Sequence, residues 1–174
     1  MKGDTNIEFI LSAGVFLIVV AFLSFHILSF VPIFHSESRA NILKSKTFQV
    51  SEMLIMSTGS PQNWDESEVT INDMKKIGLT VGEDYVLDKN KIDKLQNWCN
   101  NYYRTVINLS NLDYRMSLII NMTDIDGNSI MLCAPEGISY KNKNWIYRFA
   151  IIDEDDNGIV DENDKIVKLK ISVF

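Results

Sequence analysis

Residues 9–36 read FILSAGVFLIVVAFLSFHILSFVPIFHS and contain no Asp, Glu, Lys or Arg over 28 consecutive positions. As an α-helix this stretch is about 42 Å long, whereas the hydrocarbon core of a bilayer is only about 30 Å thick. A secretory signal peptide has a shorter apolar region that ends at a small-residue cleavage site, so that alternative fits less well. The stretch therefore predicts a helix that crosses a membrane once.

A very short polar leader precedes the apolar stretch. Met1, Lys2 and Gly3 are followed by Asp4, and Glu8 lies at the membrane edge. This arrangement resembles the class III signal peptide of archaeal type IV pilins. The resemblance implies that a prepilin peptidase cuts between Gly3 and Asp4 and that the apolar helix stays on the mature protein.

By the same resemblance, Glu8 is the fifth residue of the mature chain and matches the glutamate of that family. A carboxylate beside hydrocarbon is costly unless a positive group neutralises it. Cleavage creates an α-ammonium group on Asp4, and we expect this amine to meet Glu8 of a neighbouring subunit in a filament. The alternative is an ordinary anchor helix with a glutamate in its first turn, where the helix dipole favours negative charge.

Beyond the apolar stretch the pattern becomes amphipathic, with apolar or small residues at three-four spacing. These residues are Ala40, Leu43, Thr47, Val50 and Leu54. The spacing predicts one helix from near Thr5 to Met56, and Gly59 with Pro61 marks its end. The Gly-Ser-Pro-x-Asn-Trp stretch that ends at Trp64 is similar to the linker of archaeal pilin-like proteins.

The remaining sequence predicts a small α+β head. Asp88 is the expected N-cap of a helix whose apolar side chains recur at three-four spacing as far as Leu109. Four later stretches alternate apolar and polar residues, as half-buried strands do. They are residues 114–122, 130–133, 145–151 and 167–173. We expect an antiparallel sheet of about four strands with the helix packed on it.

Composition agrees with a single folded head and not with two large domains. The chain has 174 residues, of which 46% are hydrophobic and 23% are charged. The patterns divide it into a leader (1–3), a transmembrane and assembly helix (4–35), an amphipathic extension (36–58), a linker and loop (59–86) and the head (87–174).

Charge and motifs argue against two broad functional classes. The net charge is −6 and the basic residues form no stripe, so we expect no nucleic-acid partner. The sequence has no nucleophile elbow, phosphate loop, metal-hydrolase helix or dinucleotide-binding turn. We therefore expect that the protein is not an enzyme.

The densest acidic cluster runs from Asp153 to Asp164, where seven of 12 residues are Asp or Glu. Its oxygen-bearing residues follow the spacing of a calcium loop, with Gly158 at the turn position. The expected ligands are Asp153, Asp155, Asn157, Ile159 through its carbonyl group, Asp161 and Asp164. Because strands flank the loop, we expect a hairpin stiffened by a structural Ca²⁺. A solvated acidic turn is the alternative, since Asp, Asn and Gly also favour turns.

Two cysteines and two sequons are candidate sites of covalent modification. Cys99 and Cys133 either form one disulfide, worth about 3–4 kcal/mol by the loop-entropy estimate, or remain two buried thiols. Asn108 and Asn121 each begin an Asn-x-Ser/Thr pattern, the acceptor of N-glycosylation.

The sequence contains conflicting signals about membrane orientation. One basic residue precedes the apolar stretch and three follow it, so the positive-inside count alone places the head in the cytoplasm. These residues are Lys2, Arg39, Lys44 and Lys46. The leader, the sequons and the calcium-like loop favour the outside, and we adopt that orientation.

Together the patterns predict a type IV pilin-like structural subunit of a cell-surface filament, used in adhesion or as a surface appendage. Its expected partners are the membrane, the prepilin peptidase and other pilin subunits. The alternative is a single-pass, membrane-anchored extracellular module that binds calcium or another ligand and does not polymerise.

Overall fold

The computed structural model describes residues 7–137, 139, 143–154, 160 and 164–174, without the side chains of residues 32, 33 and 35. The chain forms two compact units, Met1–Ile42 and Leu43–Phe174. The described helices and strands are α1 (Ile7–Ile55), a 3₁₀ turn (Ile71–Asp73), β1 (Val86–Asp88), α2 (Lys89–Leu109), β2 (Leu118–Asp124), β3 (Ser129–Cys133), β4 (Ile146–Asp153) and β5 (Lys165–Val173). The α+β class and the long N-terminal helix are confirmed.

The part of α1 in the first unit is apolar and uncovered. None of the side chains described between Ile7 and Ile42 is buried, and Phe25 is 75% exposed. This helix is long and apolar enough to span a membrane.

The last turns of α1 belong to the core of the second unit. The buried Thr47 hydroxyl donates to the carbonyl oxygen of Leu43 at 2.7 Å and accepts from the backbone N–H of Val173 at 3.1 Å. The Arg148 guanidinium on β4 forms an ion pair with Glu52 at 2.5 Å. Backbone and side-chain contacts therefore attach residues 43–55 to the sheet.

The sheet has five strands in the order β1-β4-β5-β2-β3. β1 runs parallel to β4, and the other neighbours are antiparallel. Our prediction of about four antiparallel strands was therefore wrong in strand number and in one direction. The missed strand, Val86–Asp88, has only three residues and all of them are buried, so no alternation marks it in the sequence.

The first long strand also begins later than predicted. The alternation began at Tyr114, but β2 begins at Leu118. The Asp113 carboxylate accepts from the backbone N–H of Arg115 at 2.9 Å, and the Asp113 carbonyl group accepts from Met116 N at 2.8 Å. This local turn captures backbone groups that a strand would need.

The prediction that Asp88 caps the second helix is confirmed. Its Oδ1 atom accepts from the backbone N–H of Lys91 at 3.1 Å. α2 then runs to Leu109 but leaves helical geometry at Tyr102, where φ is −135° and ψ is 36°. Its buried side chains, among them Ile92 and Leu95, pack in the core of the second unit.

The segment that follows α1 is held against the rest of the head by Trp64 and by a close backbone contact at Gly78. The Trp64 indole N–H donates to the carbonyl oxygen of Gly78 at 2.9 Å, and its ring stacks on Trp98 at 5.0 Å between centroids. A Cβ atom on Gly78 would lie 2.1 Å from the carbonyl oxygen of Ser57. Gly59 has a φ of +87°, which favours glycine. Of the Gly-Ser-Pro-x-Asn-Trp stretch, Trp64 is thus part of the core, whereas residues 62 and 63 are exposed.

Candidate functional site

The expected assembly residues lie at the start of α1. Gly3 and Asp4 are outside the described residues, whereas Glu8 is exposed in the first helical turn. Glu8 is the only charged residue between Ile7 and Ser36, and it forms no ion pair with any described residue. A carboxylate at this position needs a positive partner once lipid or other helices surround it.

The expected calcium loop connects β4 to β5. Asp153 is buried at the end of β4, and Asp164 directly precedes β5. The Asp164 Oδ1 atom accepts from the backbone N–H of Glu154 at 3.2 Å, which brings the first and last expected ligands to the same closed hairpin. The other expected ligands, Asp155, Asn157, Ile159 and Asp161, lie outside the described residues. Among the residues that are described, no group of three or more His, Cys, Asp or Glu is placed to hold a metal.

Glu154 ties the base of this hairpin to α2. Its carboxylate is 2.8 Å from the ammonium group of Lys165 and 2.6 Å from that of Lys89. Hydrogen bonds from these two lysines lower the pKa of Glu154. Two ammonium groups therefore neutralise the Glu154 carboxylate.

The structure joins Cys99 of α2 to Cys133 of β3 in a disulfide, with the Cα atoms 5.3 Å apart. One turn earlier, the Gln96 side-chain amide donates to the carbonyl oxygen of Leu132 at 3.1 Å and accepts from its N–H at 2.7 Å. The amide thus makes the hydrogen bonds that another strand would make. β3 is an edge strand whose free backbone groups are covered at this position.

The two sequons differ in accessibility. Asn108 is exposed in the last turn of α2. Asn121 is half-buried on β2, where its register partners are Leu132 and Lys170 on the two neighbouring strands. Asn108 is therefore the more accessible acceptor for a bulky glycan.

A buried lysine that the sequence patterns did not reveal, Lys91, lies in the first turn of α2. The Lys91 ammonium group donates to the carbonyl oxygens of Thr80 at 2.9 Å and Thr58 at 3.2 Å, and lies 3.9 Å from the Asp88 carboxylate. Its side chain is 4% exposed. In the sequence, Lys91 stands four residues before Leu95 and therefore on the apolar side of the predicted helix, and this position is the signal that could have indicated its burial.

Comparison with known proteins leaves the family open. The chain matches no family model, no curated protein and no solved structure. Its function must therefore be inferred from its own residues and their arrangement.

Proposed function

We propose that the protein is a type IV pilin-like structural subunit of a cell-surface filament. The observation that supports this most is the uncovered apolar surface of α1, on which Glu8 is the only charged residue before Glu37. Lipid covers such a surface before assembly, and neighbouring helices cover it in a filament core. Adhesion, or another role as a surface appendage, follows from a filament of exposed heads.

In this proposal, an ion pair of Glu8 with a neighbouring subunit makes filament assembly favourable only after the leader has been removed. Removal of residues 1–3 by a prepilin peptidase frees the α-amino group of Asp4. In a filament, that amine neutralises Glu8 of the adjacent subunit, so the carboxylate is not left uncompensated among apolar helices. Processing therefore precedes assembly.

The covered edges of the head support assembly through α1. Gln96 covers part of the β3 edge, and Thr80 bridges to Leu87 of β1 at the other edge. Addition of a strand from a second copy would have to displace these contacts. The proposed route to a polymer is therefore the apolar helix and not pairing between sheets.

The disulfide supports an extracellular head. Disulfides such as Cys99–Cys133 persist in oxidising compartments and are rare in the cytosol. This argument opposes the positive-inside count. We therefore propose that the head lies outside the cell membrane, with the apolar part of α1 as the single span.

We expect Glu8→Ala to leave membrane insertion unchanged while reducing the subunit in purified filaments by about 100-fold or more. Removing one partner of a desolvated ion pair costs about 3–5 kcal/mol, whereas the apolar stretch that drives insertion is untouched. The measurement is immunoblotting of membrane and sheared-filament fractions. Glu37→Ala is the matched control, since Glu37 is another exposed acid of α1 and lies outside the apolar stretch.

Filaments of Glu8→Ala at the wild-type level would contradict the pairing role. The competing anchored module predicts no filament fraction even for the wild type. Mass spectrometry of the membrane-extracted chain separates the two further, because the pilin proposal requires a free amine on Asp4 and the anchor predicts an intact Met1.

We also propose that the β4–β5 loop holds a structural Ca²⁺. Support comes from its ligand spacing and from the described ends, since Asp153 and Asp164 flank a closed hairpin. Carboxylate, amide and carbonyl oxygens are the donors that Ca²⁺ prefers. When bound, the ion would neutralise a loop with no basic residue between Asp153 and Asp164.

Addition of 10 mM Ca²⁺ to the full chain in detergent is expected to raise the melting temperature of the head by about 4–10 °C. This range assumes a Kd of about 0.1–1 mM, typical of extracellular calcium modules. Binding to the folded state alone then stabilises it by mass action, and the free energy gained is converted to a shift in melting temperature. Asp155→Ala should remove the shift, whereas Asp126→Ala, in the β2–β3 turn, should retain it. The absence of a shift in the wild type would reject the site.

A further inference from the structure

A groove on the second unit is lined by polar side chains and two aromatic residues, Trp98 and Tyr102. Its cavity volume is about 650 Å³, within the range of about 300–1,000 Å³ that is usual for small-molecule sites. It lies between the segment 65–72 and α2. The lining residues relevant to binding are Asp65, Asn72, Trp98, Tyr102 and Thr105.

Lys94 fixes the wall of this groove. Its ammonium group donates to the carbonyl oxygens of Glu66 at 2.5 Å and Val69 at 2.8 Å, and lies 5.4 Å from the centre of the Trp98 ring. Partial burial lowers the pKa of Lys94. Lys94 therefore holds the segment 65–72 on α2, and its ammonium group already donates hydrogen bonds to two backbone carbonyl groups.

The hydrogen-bonding groups of the groove have few partners in the chain. Among the described residues, the side chains of Asp65, Asn72 and Thr105 make no hydrogen bond, and neither does the indole N–H of Trp98. Trp98 is only 5% exposed, so this donor belongs to a nearly buried side chain. The groove thus offers a carboxylate, an amide, a hydroxyl and a recessed N–H.

Tyr102 adds an aromatic surface at the place where α2 leaves helical geometry. Its side chain is 53% exposed although it lies on the apolar stripe of the helix. An exposed ring beside a recessed N–H donor suits a ligand that has an apolar face and hydroxyl groups around its edge. Sugars have both features.

We propose that this groove binds a neutral carbohydrate. Tyr102 stacks on one face of the sugar ring, while the Trp98 N–H and the Asp65 carboxylate hydrogen-bond to hydroxyl groups. An anionic ligand is disfavoured because Asp65 is negative and Lys94, the only cation among the described lining residues, donates to backbone carbonyls. All these lining residues lie in the second unit, so the site does not depend on filament assembly.

The test uses the full chain in a detergent without a sugar headgroup. The probes are methyl glycosides of glucose, galactose, mannose and N-acetylglucosamine, with glucuronate as the anionic comparison. We expect saturation-transfer NMR and calorimetric titration to show at least one neutral glycoside binding with a Kd of about 0.1–10 mM. A matching trisaccharide that binds more tightly supports a polymer as the source, and equal affinity supports a terminal or free sugar.

Two variants test the assigned contacts. Trp98→Phe keeps a ring against Trp64 but removes the N–H, and we expect about fivefold weaker binding. Tyr102→Ala removes the stacking surface, and we expect about tenfold weaker binding. Tyr114→Ala is the matched control, because Tyr114 is 68% exposed and does not line the groove. Melting temperatures of all variants check that the head is folded.

Binding of glucuronate alone, or of no probe at 10 mM, would overturn the proposal. So would neutral binding that survives both Trp98→Phe and Tyr102→Ala in folded protein. Filament formation is measured separately through Glu8, so failure of the groove leaves the assembly proposal standing, and failure of assembly leaves the groove standing.

Discussion

Gly78→Ala is expected to destabilise the head by about 3–5 kcal/mol and to lower its melting temperature by about 10–20 °C. The new Cβ would lie 2.1 Å from the Ser57 carbonyl oxygen and 2.5 Å from the backbone nitrogen of Gly59. Both neighbours are backbone atoms, so no side-chain rotation relieves the overlap. Moving the segment at Gly78 away from Ser57 and Gly59 would also strain the hydrogen bond from the Trp64 indole to the Gly78 carbonyl group.

Thermal and denaturant unfolding of the full chain in detergent, followed by near-ultraviolet circular dichroism, measures this effect. Gly82→Ala is the matched control, because a Cβ atom at that position would meet no described atom within 4 Å. Its φ of +139° still makes alanine unfavourable, and we expect a loss of only about 1 kcal/mol. Equal stability of the two variants would show that the contact between Ser57 and Gly78 is not close.

Lys91→Ala is expected to cost about 3–5 kcal/mol of folding free energy, as removal of one partner from a buried ion pair does. The carbonyl groups of Thr58 and Thr80 lose a charged donor, and the Asp88 carboxylate loses a nearby cation. Lys91→Met retains most of the aliphatic volume, so a similar loss in that variant assigns the effect to charge and hydrogen bonding. Denaturant unfolding of each variant provides the free energies.

Lys89→Ala is the control for this second experiment. Lys89 is also in the first turn of α2 and also pairs with a carboxylate, but its side chain is 49% exposed. Exposed ion pairs contribute little to net stability, so this variant should remain close to the wild type. If Lys91→Met is as stable as Lys89→Ala, the buried lysine does not stabilise the head.

Some of the fold was predictable because its signals are local. The helix α2 has Asp88 as its N-cap and a regular apolar spacing, and both can be seen within a few turns of sequence. The strands β3, β4 and β5 alternate in the usual way and were placed within two residues at each end. β1 was missed because three buried residues show no period.

The candidate sites divide in a similar way. Glu8 and the acidic loop stand out in the sequence, because charge is rare in the first region and dense in the second. The two cysteines were found, but the choice between a disulfide and two thiols required the distance between α2 and β3. Lys91 and the groove were missed, because each depends on segments that only the folded chain brings next to α2.

The amino-acid sequence by itself determined that the chain carries a membrane-length apolar helix followed by an α+β head. Hydropathy, helical spacing and strand alternation are properties of neighbouring residues, so they need no knowledge of the folded chain. Only the tertiary structure decided the parallel strand β1, the contact between Ser57 and Gly78, the partners of Lys91 and the groove beside Tyr102. Each of these depends on atoms that are far apart along the chain, and their distances are set by the packing of the whole core.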